Sequence, residues 1–186
     1  MSSVKDVLRR AALNRRAALT EEERAQKSDA AIRHLLQTRI FHTAETIALY
    51  LPLKTELAVD SLLKVAANPA RRFVAPRTLP DNRLSFHEIT GDSILEPGYG
   101  NIMEPSATSP LVECEEIDLF LVPLAACDPQ GNRLGFGGGF YDRALVNQHG
   151  FKLGVGFSTQ LVDHIEREAH DVTLNGFINE NGVLYF

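Results

Sequence analysis

The chain is predicted to fold as an α/β domain, and three observations carry the prediction. Short strand-like runs alternate with helix-like segments, the pattern of βαβ units around a largely parallel sheet. The run Leu119-Phe120-Leu121-Val122 is apolar at every position, as a strand buried on both faces is. A glycine-rich segment follows that run and leads into a helix-like sequence, the kind of strand–turn–helix junction where open α/β sheets hold ligands.

The elements follow in order. Residues 4–18 are rich in Arg, Ala and Leu and read as a basic amphipathic helix. Thr20-Glu21-Glu22-Glu23 is a capping box, opening a second helix to about Leu36 with Ile32, Leu35 and Leu36 on its apolar face. Residues 46–51 form a β-type run ended by Pro52. Residues 60–67 are expected to be helical, and 72–75 to be a strand stopped by Pro76. Residues 84–89 alternate apolar and polar, as a half-exposed strand does. Residues 119–122 and 153–157 are further strands, and a helix begins at Phe140 and extends toward Val146. Asp128-Pro129-Gln130-Gly131 reads as a turn and nothing more.

Composition narrows the class. At 186 residues a single domain spanning 1–186 is expected. A chain of this size buries about 70% of its unfolded surface and needs no staples. Hydrophobic content of 44% and charged content of 23% are those of an ordinary globular enzyme. A net charge of −5 without clustered basic residues argues against a nucleic-acid surface. Cys114 and Cys127 make neither a disulfide framework nor a metal-ligand pattern and read as buried thiols of a reducing compartment. No apolar run approaches the roughly 18 residues of a membrane span, and the amino terminus lacks the apolar stretch of a secretory signal. A cytoplasmic protein is expected, with a monomer as the default state.

The most informative segment is Arg133-Leu134-Gly135-Phe136-Gly137-Gly138-Gly139-Phe140-Tyr141-Asp142-Arg143. Glycines allow positive φ and close approach of backbone amides to a ligand, and successive amides in such turns make anion-binding concavities. A helix start adds further free N–H groups. Arginines pair phosphate oxygens bidentately, and Asp142 is a hard oxygen donor suited to Mg²⁺. The known glycine motifs do not fit. Phe140 stands where the dinucleotide fingerprint has Gly or Ala, no Gly-Lys-Ser/Thr follows, and the kinase sequences are absent. Glycines alone are equally consistent with a tight turn; the flanking Arg133, Asp142 and Arg143 favour phosphate binding.

This segment resembles the signature of the 5-formyltetrahydrofolate cyclo-ligase family, and the resemblance extends over nearly the whole chain. Lys5-x-x-x-Arg9 is similar to the family's amino-terminal nucleotide contacts. Tyr50-Leu51 through Glu56 resembles its folate-contacting strand end. Gly98 to Pro105 resembles a Gly-x-x-Glu-Pro stretch with extra spacing, and Ile117 to Pro123 the strand before the glycine loop. Gln160 and His170-Asp171 recur in order. Phe136 and Phe140 stand where many members have tyrosine, and Gly138 where some have lysine.

The resemblance implies a three-layer α/β/α fold like that of phosphosugar isomerases and CoA transferases. It implies Mg²⁺-dependent use of ATP to convert 5-formyltetrahydrofolate into 5,10-methenyltetrahydrofolate, ADP and phosphate. No covalent nucleophile is needed. Lys5, Arg9, Arg133 and residues 134–141 are assigned to ATP by this resemblance. Leu51, Glu56, Phe136, Gly137, Gly138, Gly139 and Phe140 are assigned to the folate, and Asp142 and Asp171 to Mg²⁺. From the residues alone, Lys5 and Arg9 are also consistent with a solvated basic helix face, Glu56 with a surface carboxylate, Asp171 with a turn and His170 with a structural role. A phosphosugar- or CoA-handling enzyme of the same fold, or a binding protein without turnover, are the alternative functions.

Overall fold

The computed structural model describes residues 3–65 and 71–186. The first two helices form where the capping residues place them. Helix α1 spans Val4–Ala17, with Ser3 and Asp6 exchanging capping bonds. Helix α2 spans Glu21–Leu36, and its Thr20/Glu23 box makes both reciprocal bonds, at 3.1 and 2.7 Å. A short helix α3, Arg39–Thr43, follows under the cap of Thr38. Strand β1 covers Thr46–Ala48, and α4 covers Leu62–Val65. Of the helix expected at 60–67, residues 60 and 61 form a turn and residues 66 and 67 lie outside the described residues. The later strands are β2 Arg72–Leu79, β3 Arg83–Ile89, β4 Leu95–Pro97, β5 Met103–Pro105, β6 Leu111–Val112 and β7 Leu119–Pro123. The glycine segment lies between the β8/β9 pair, Ala126–Cys127 and Arg133–Leu134, and helix α5, Phe140–Leu145. Strands β10 Phe151–Val155, β11 Gly176–Asn179 and β12 Gly182–Tyr185 complete the chain.

Eight strands make one mixed sheet in the order β12-β11-β10-β7-β1-β2-β3-β6. The middle of the sheet, from β11 to β2, is parallel throughout. Both flanks are antiparallel, through β12 on one side and β3 and β6 on the other. Both faces are covered. Ile47, Leu119, Leu121 and Leu153 pack with Ile32 and Leu35 of α2 and Phe41 of α3. Ala48, Phe120, Val122 and Phe177 pack with Leu145 of α5 on the other face. The alternation along 119–122 shows why every position in that run is apolar.

Two expectations change. The strand at 72–75 does not stop at Pro76 but continues to Leu79, paired with β3. Pro76 lies past the end of the β1 pairing, which stops at Val74, so β2 is flanked there by a strand on one side only and accommodates an imino acid. The β2–β3 connection turns through Asp81 and Asn82, both at positive φ (62° and 55°), two short polar residues that tolerate the left-handed region.

The turn at 128–131 is also more than a turn. Asp128 is 0% exposed. Its Oδ1 accepts the amides of Gln130 and Asn132 at 3.0 and 2.9 Å, and its Oδ2 accepts Asn132 Nδ2 and the amide of Ile165 at 2.9 and 2.8 Å. One buried carboxylate thus ties the connection before the glycine loop to the segment leading to residue 171. Asp128→Ala strands several buried donors, each costing about 1–3 kcal/mol. The variant is expected to melt roughly 6–12 °C below wild type, at about 2–4 °C per kcal/mol for a domain of this size. A thermal melt checks this; an unchanged midpoint would show that the buried carboxylate is not a structural tie.

Candidate active site

The glycine loop gets its shape from contacts that small residues permit. Gly137 and Gly139 have φ of 99° and 68°. A Cβ on Gly138 would lie 2.5 Å from the ring of Phe140, so the absence of a side chain lets that ring fold back over the loop. The ring of Phe140 in turn sits 5.3 Å from that of Tyr99, between β4 and β5. Loop carbonyls are tied from outside. Gly135 O accepts Arg9 Nε at 2.8 Å, and Gly138 O accepts Asn82 Nδ2 at 3.1 Å and Arg143 Nη1 at 2.8 Å. Among the described residues, the backbone amides of 135–139 donate no hydrogen bond. The carbonyls are used and the amides are left for a ligand, which is the polarity an anion needs. The expected helix contribution is small, because α5 has six residues, not a long aligned dipole.

Helix α1 lies across this loop. Arg9 bonds the loop carbonyl and also pairs with Asp6. Lys5 Nζ pairs with Asp171 Oδ2 at 2.8 Å and with Glu168 Oε1 at 3.4 Å. Burial works to raise the Asp171 carboxyl, but the bond from Lys5 and the amide of Glu168 prevail and hold it below the ordinary carboxylate value. Burial likewise works to lower Lys5, and its carboxylate partners outweigh that and hold it raised. Arg133 Nη2 pairs with Asp142 Oδ1 at 2.7 Å, and that same oxygen accepts the amide of Val172 at 3.2 Å. Arg133, which the resemblance assigns to the ATP phosphates, lines the cleft as a largely buried side chain. Its side chain is 4% exposed and neutralised by Asp142, and its Nε is buried without a partner. A Cβ on Gly135 would meet its Nη1 at 2.9 Å, so this glycine makes room for the buried guanidinium.

A cleft of about 490 Å³ opens at the carboxyl ends of β1 and β7, where Tyr50, Leu51 and Pro123 line it. The glycine loop, Asp142, Asp171, Glu56, Leu51, Tyr99 and Met103 all line it. A second cavity of about 540 Å³ lies against the outer side of the loop, between Gly137–Gly139, Arg143 and His170. Tyr50 Oη donates to Leu57 O at 2.5 Å, and the amide of Ala58 donates to Ser28 Oγ at 3.0 Å, which fixes the segment carrying Glu56. Glu56 is not a surface carboxylate. Its Oε2 accepts the amide of Leu53 at 2.9 Å and its Oε1 lies 3.5 Å from Arg16 Nη1. Burial raises its carboxyl above the ordinary value, against that amide and Arg16.

Every residue assigned to ATP, the folate or Mg²⁺ from sequence lines this cleft: Lys5, Arg9, Leu51, Glu56, residues 133–142 and Asp171. Asp171 also belongs to a cluster with Glu168 and His170 whose ligand atoms lie within 4.8 Å of one another, and Asp142 is not part of it. Gln160 is structural, with Nε2 donating to Leu124 O at 2.7 Å and Oε1 accepting the amide of Phe157 at 2.9 Å. Sequence reasoning misses Arg16, Asn82, Tyr99 and Glu104. Arg16 carried a usable signal: positions 5, 9 and 16 are separated by four and seven residues and so share one helix face. Glu104 accepts Thr78 Oγ1 and the amide of Tyr99, and its carboxyl occupies the space a Cβ on Gly98 would fill, so it holds the hairpin that presents Tyr99.

Comparison with known proteins agrees with this geometry. A model of the 5-formyltetrahydrofolate cyclo-ligase family matches residues 1–180. The chain is 30% identical to the 5-formyltetrahydrofolate cyclo-ligase of Haemophilus influenzae, covering 86% of this chain and 88% of the relative. It is 29% identical to that of Escherichia coli K12, covering 91% and 96%. Among solved structures, 5,10-methenyltetrahydrofolate synthetase from Aquifex aeolicus superimposes with a TM-score of 0.85 at 32% identity, covering 98% of this chain and 93% of that one. The synthetase from Mycoplasma pneumoniae gives 0.77 at 27% identity, covering 96% and 99%. With the match spanning the loop, the amino-terminal helix and the strand that leads to Glu56, the chain belongs to the 5-formyltetrahydrofolate cyclo-ligase family.

Proposed function

We propose that this protein is an ATP-dependent cyclo-ligase that converts 5-formyltetrahydrofolate to 5,10-methenyltetrahydrofolate, working as one domain over residues 1–186 and as a cytoplasmic monomer. The observation that carries the reading is the glycine loop with undonated amides, set against α1 in a cleft that Glu56 also lines. The α/β arrangement agrees with a three-layer fold of the phosphosugar isomerase and CoA transferase type.

The chemistry sets what the site must do. The N5-formyl carbon is a poor electrophile and its oxygen a poor leaving group. Transfer of the γ-phosphoryl to that oxygen converts it into a phosphate ester, N10 attacks the activated carbon, and inorganic phosphate departs. Such transfers rest on positioning and charge neutralisation. The loop amides, Arg9 and Lys5 hold the phosphates, Arg133 supports the loop from beneath, and residues 134–141 shape the nucleotide site. Glu56 accepts N–H groups of the folate beside Leu51, with Phe136 and Phe140 against its ring system; both loop aromatics lack the hydroxyl of a tyrosine. Asp142 and Asp171 are suited to Mg²⁺. They are hard oxygen donors; the contacts to Asp142 all run to Oδ1, and on Asp171 Lys5 and the amide of Glu168 take Oδ2 while His170 Nε2 stands 3.7 Å from Oδ1. A Mg²⁺ held by these carboxylates would supply positive charge against the phosphates.

Formation of methenyltetrahydrofolate, followed by absorbance, is expected only with ATP and Mg²⁺ together; dialysed protein turning over at full rate in EDTA would contradict the reading. Asp142→Asn is expected to lower kcat/KM for ATP about a hundredfold, the scale of removing one positioned electrostatic group. Asn rather than Ala is the informative change, since Ala would strand the buried Arg133 and confuse stability with catalysis. Steady-state kinetics checks this, and an unaltered kcat/KM would remove Asp142 from the metal role. ATP with Mg²⁺ at about 100 times its dissociation constant should stabilise the protein by about 2.7 kcal/mol, a shift of roughly 5–11 °C. Arg9→Ala should shrink that shift in a melt series; equal shifts in both proteins would remove α1 from the nucleotide site.

A further inference from the structure

One charged pair on the cleft wall is poorly explained by stability. Arg16 projects from the last turn of α1 and is 5% exposed. Its Nη1 stands 3.5 Å from Glu56 Oε1, its Nη2 donates to Thr55 Oγ1 at 3.0 Å, and its Nε is buried without a partner. Its guanidinium carbon lies 5.5 Å from the ring centre of Phe136 in the glycine loop. A buried ion pair repays the desolvation of both groups only with good geometry and fully satisfied donors. Here the contact is single and long, and one donor is orphaned. Two apolar residues would fill the same space more stably, so the pair points to a use for the charge on Glu56.

We propose that Arg16 is a positioning residue for the reaction: it holds Glu56 as an anion aimed into the folate end of the cleft and, through Phe136, couples that carboxylate to the glycine loop. The proposal rests on the reading of Glu56 as the folate-facing group. The charged and titratable groups facing Glu56 are Arg16 from α1, Tyr50 beyond β1 and Tyr141 from α5. Burial pushes both phenols well above neutral, so across the working pH range they stay uncharged, and Arg16 is the cation that supports ionisation of Glu56. The amide of Leu53 aims Oε2, and Arg16 aims Oε1. Removing Arg16 leaves burial opposed by one amide alone, and Glu56 takes up a proton at a higher pH than before.

The test compares wild type, Arg16→Met, Arg16→Lys, Glu56→Gln and the double variant Arg16→Met/Glu56→Gln. KM for 5-formyltetrahydrofolate and KM for ATP are measured between about pH 6.5 and 9, above the ordinary carboxylate range. Arg16→Met is expected to raise the folate KM about tenfold or more at the lower end, the scale of one lost charge-assisted hydrogen bond. That KM should fall back toward wild type as pH rises and Glu56 ionises, while the ATP KM changes much less. Glu56→Gln should raise the folate KM without pH dependence, and the double variant should behave like Glu56→Gln alone. Arg16→Lys keeps the positive charge and should restore most of the folate affinity, which provides the test if Arg16→Met does not fold. A folate KM in Arg16→Met that is unchanged, or raised equally at every pH, overturns the proposal and leaves Arg16 a packing residue, as does an Arg16→Lys variant as impaired as Glu56→Gln. If Glu56→Gln itself leaves the folate KM unchanged, the assignment of Glu56 to the folate has failed instead.

Discussion

The cleft depends on the pairing of opposite charges between α1 and the segments it crosses. Of the fourteen residues of α1, only Ala12 and Arg16 are buried, so apolar burial alone holds the helix weakly. Polar contacts add to it, Lys5 to Asp171 and Arg9 to the carbonyl of Gly135, while Arg16 reaches Glu56 by a single long contact. These reach three separate stretches of chain, at 168–171, 135 and 55–56. One helix therefore links the glycine loop, the carboxylates at 168–171 and the segment carrying Glu56. Each pair sits in a partly desolvated site, where attraction is stronger than in water but an unpaired partner is costly.

The same pairing gives the proposed chemistry its logic. Lys5 and Arg133 each sit on a carboxylate, so the cleft is internally compensated. A nucleotide triphosphate brings negative charge and a divalent cation brings positive charge, and each has a counterpart in these pairs. The loop contributes the uncharged part: the carbonyls of Gly135 and Gly138 are tied to Arg9, Asn82 and Arg143, while the amides of 135–139 donate no hydrogen bond among the described residues. Two hairpins complete the enclosure. The β2–β3 tip reaches the loop through Asn82, and the β4–β5 hairpin lays Tyr99 on Phe140.

Local signals in the sequence located the parts governed by local physics. The capping box at Thr20–Glu23 predicted a helix start that forms as written, because a cap is complete within four residues; the box that Ser3 and Asp6 make before α1 goes unread. The apolar run at 119–122 marked the central strand because both its faces are buried. The glycine segment marked the site because a loop with positive φ at 137 and 139 has few other residue choices. What escaped was set by partners distant in sequence. Strand 46–51 ends as regular structure at Ala48, yet the amide of Leu49 still bonds Val74 O, so its apolar run reflects burial rather than strand length. Pro76 reads as a stop unless the end of the β1 pairing is known. Asp128 reads as a turn residue because its bond to Ile165 spans 37 positions. The burial of Arg133 against Asp142 escapes notice because nothing local shows that Asp142 folds back to it. The edge strand β12 is short, opens on Gly182 and leaves Leu184 and Tyr185 exposed, so it lacks the alternation that marks a half-buried strand.

The central claim is that the glycine-loop amides and α1 form one nucleotide clamp. Amide hydrogen exchange resolved to single residues, with and without ATP and Mg²⁺, tests it most directly. Exchange at Gly137, Gly138 and Gly139 is expected to slow sharply on addition of the nucleotide, with parallel slowing along α1, because the amides gain acceptors they lack in the free protein. Unchanged exchange at these three glycines under saturating ATP and Mg²⁺ would contradict the account.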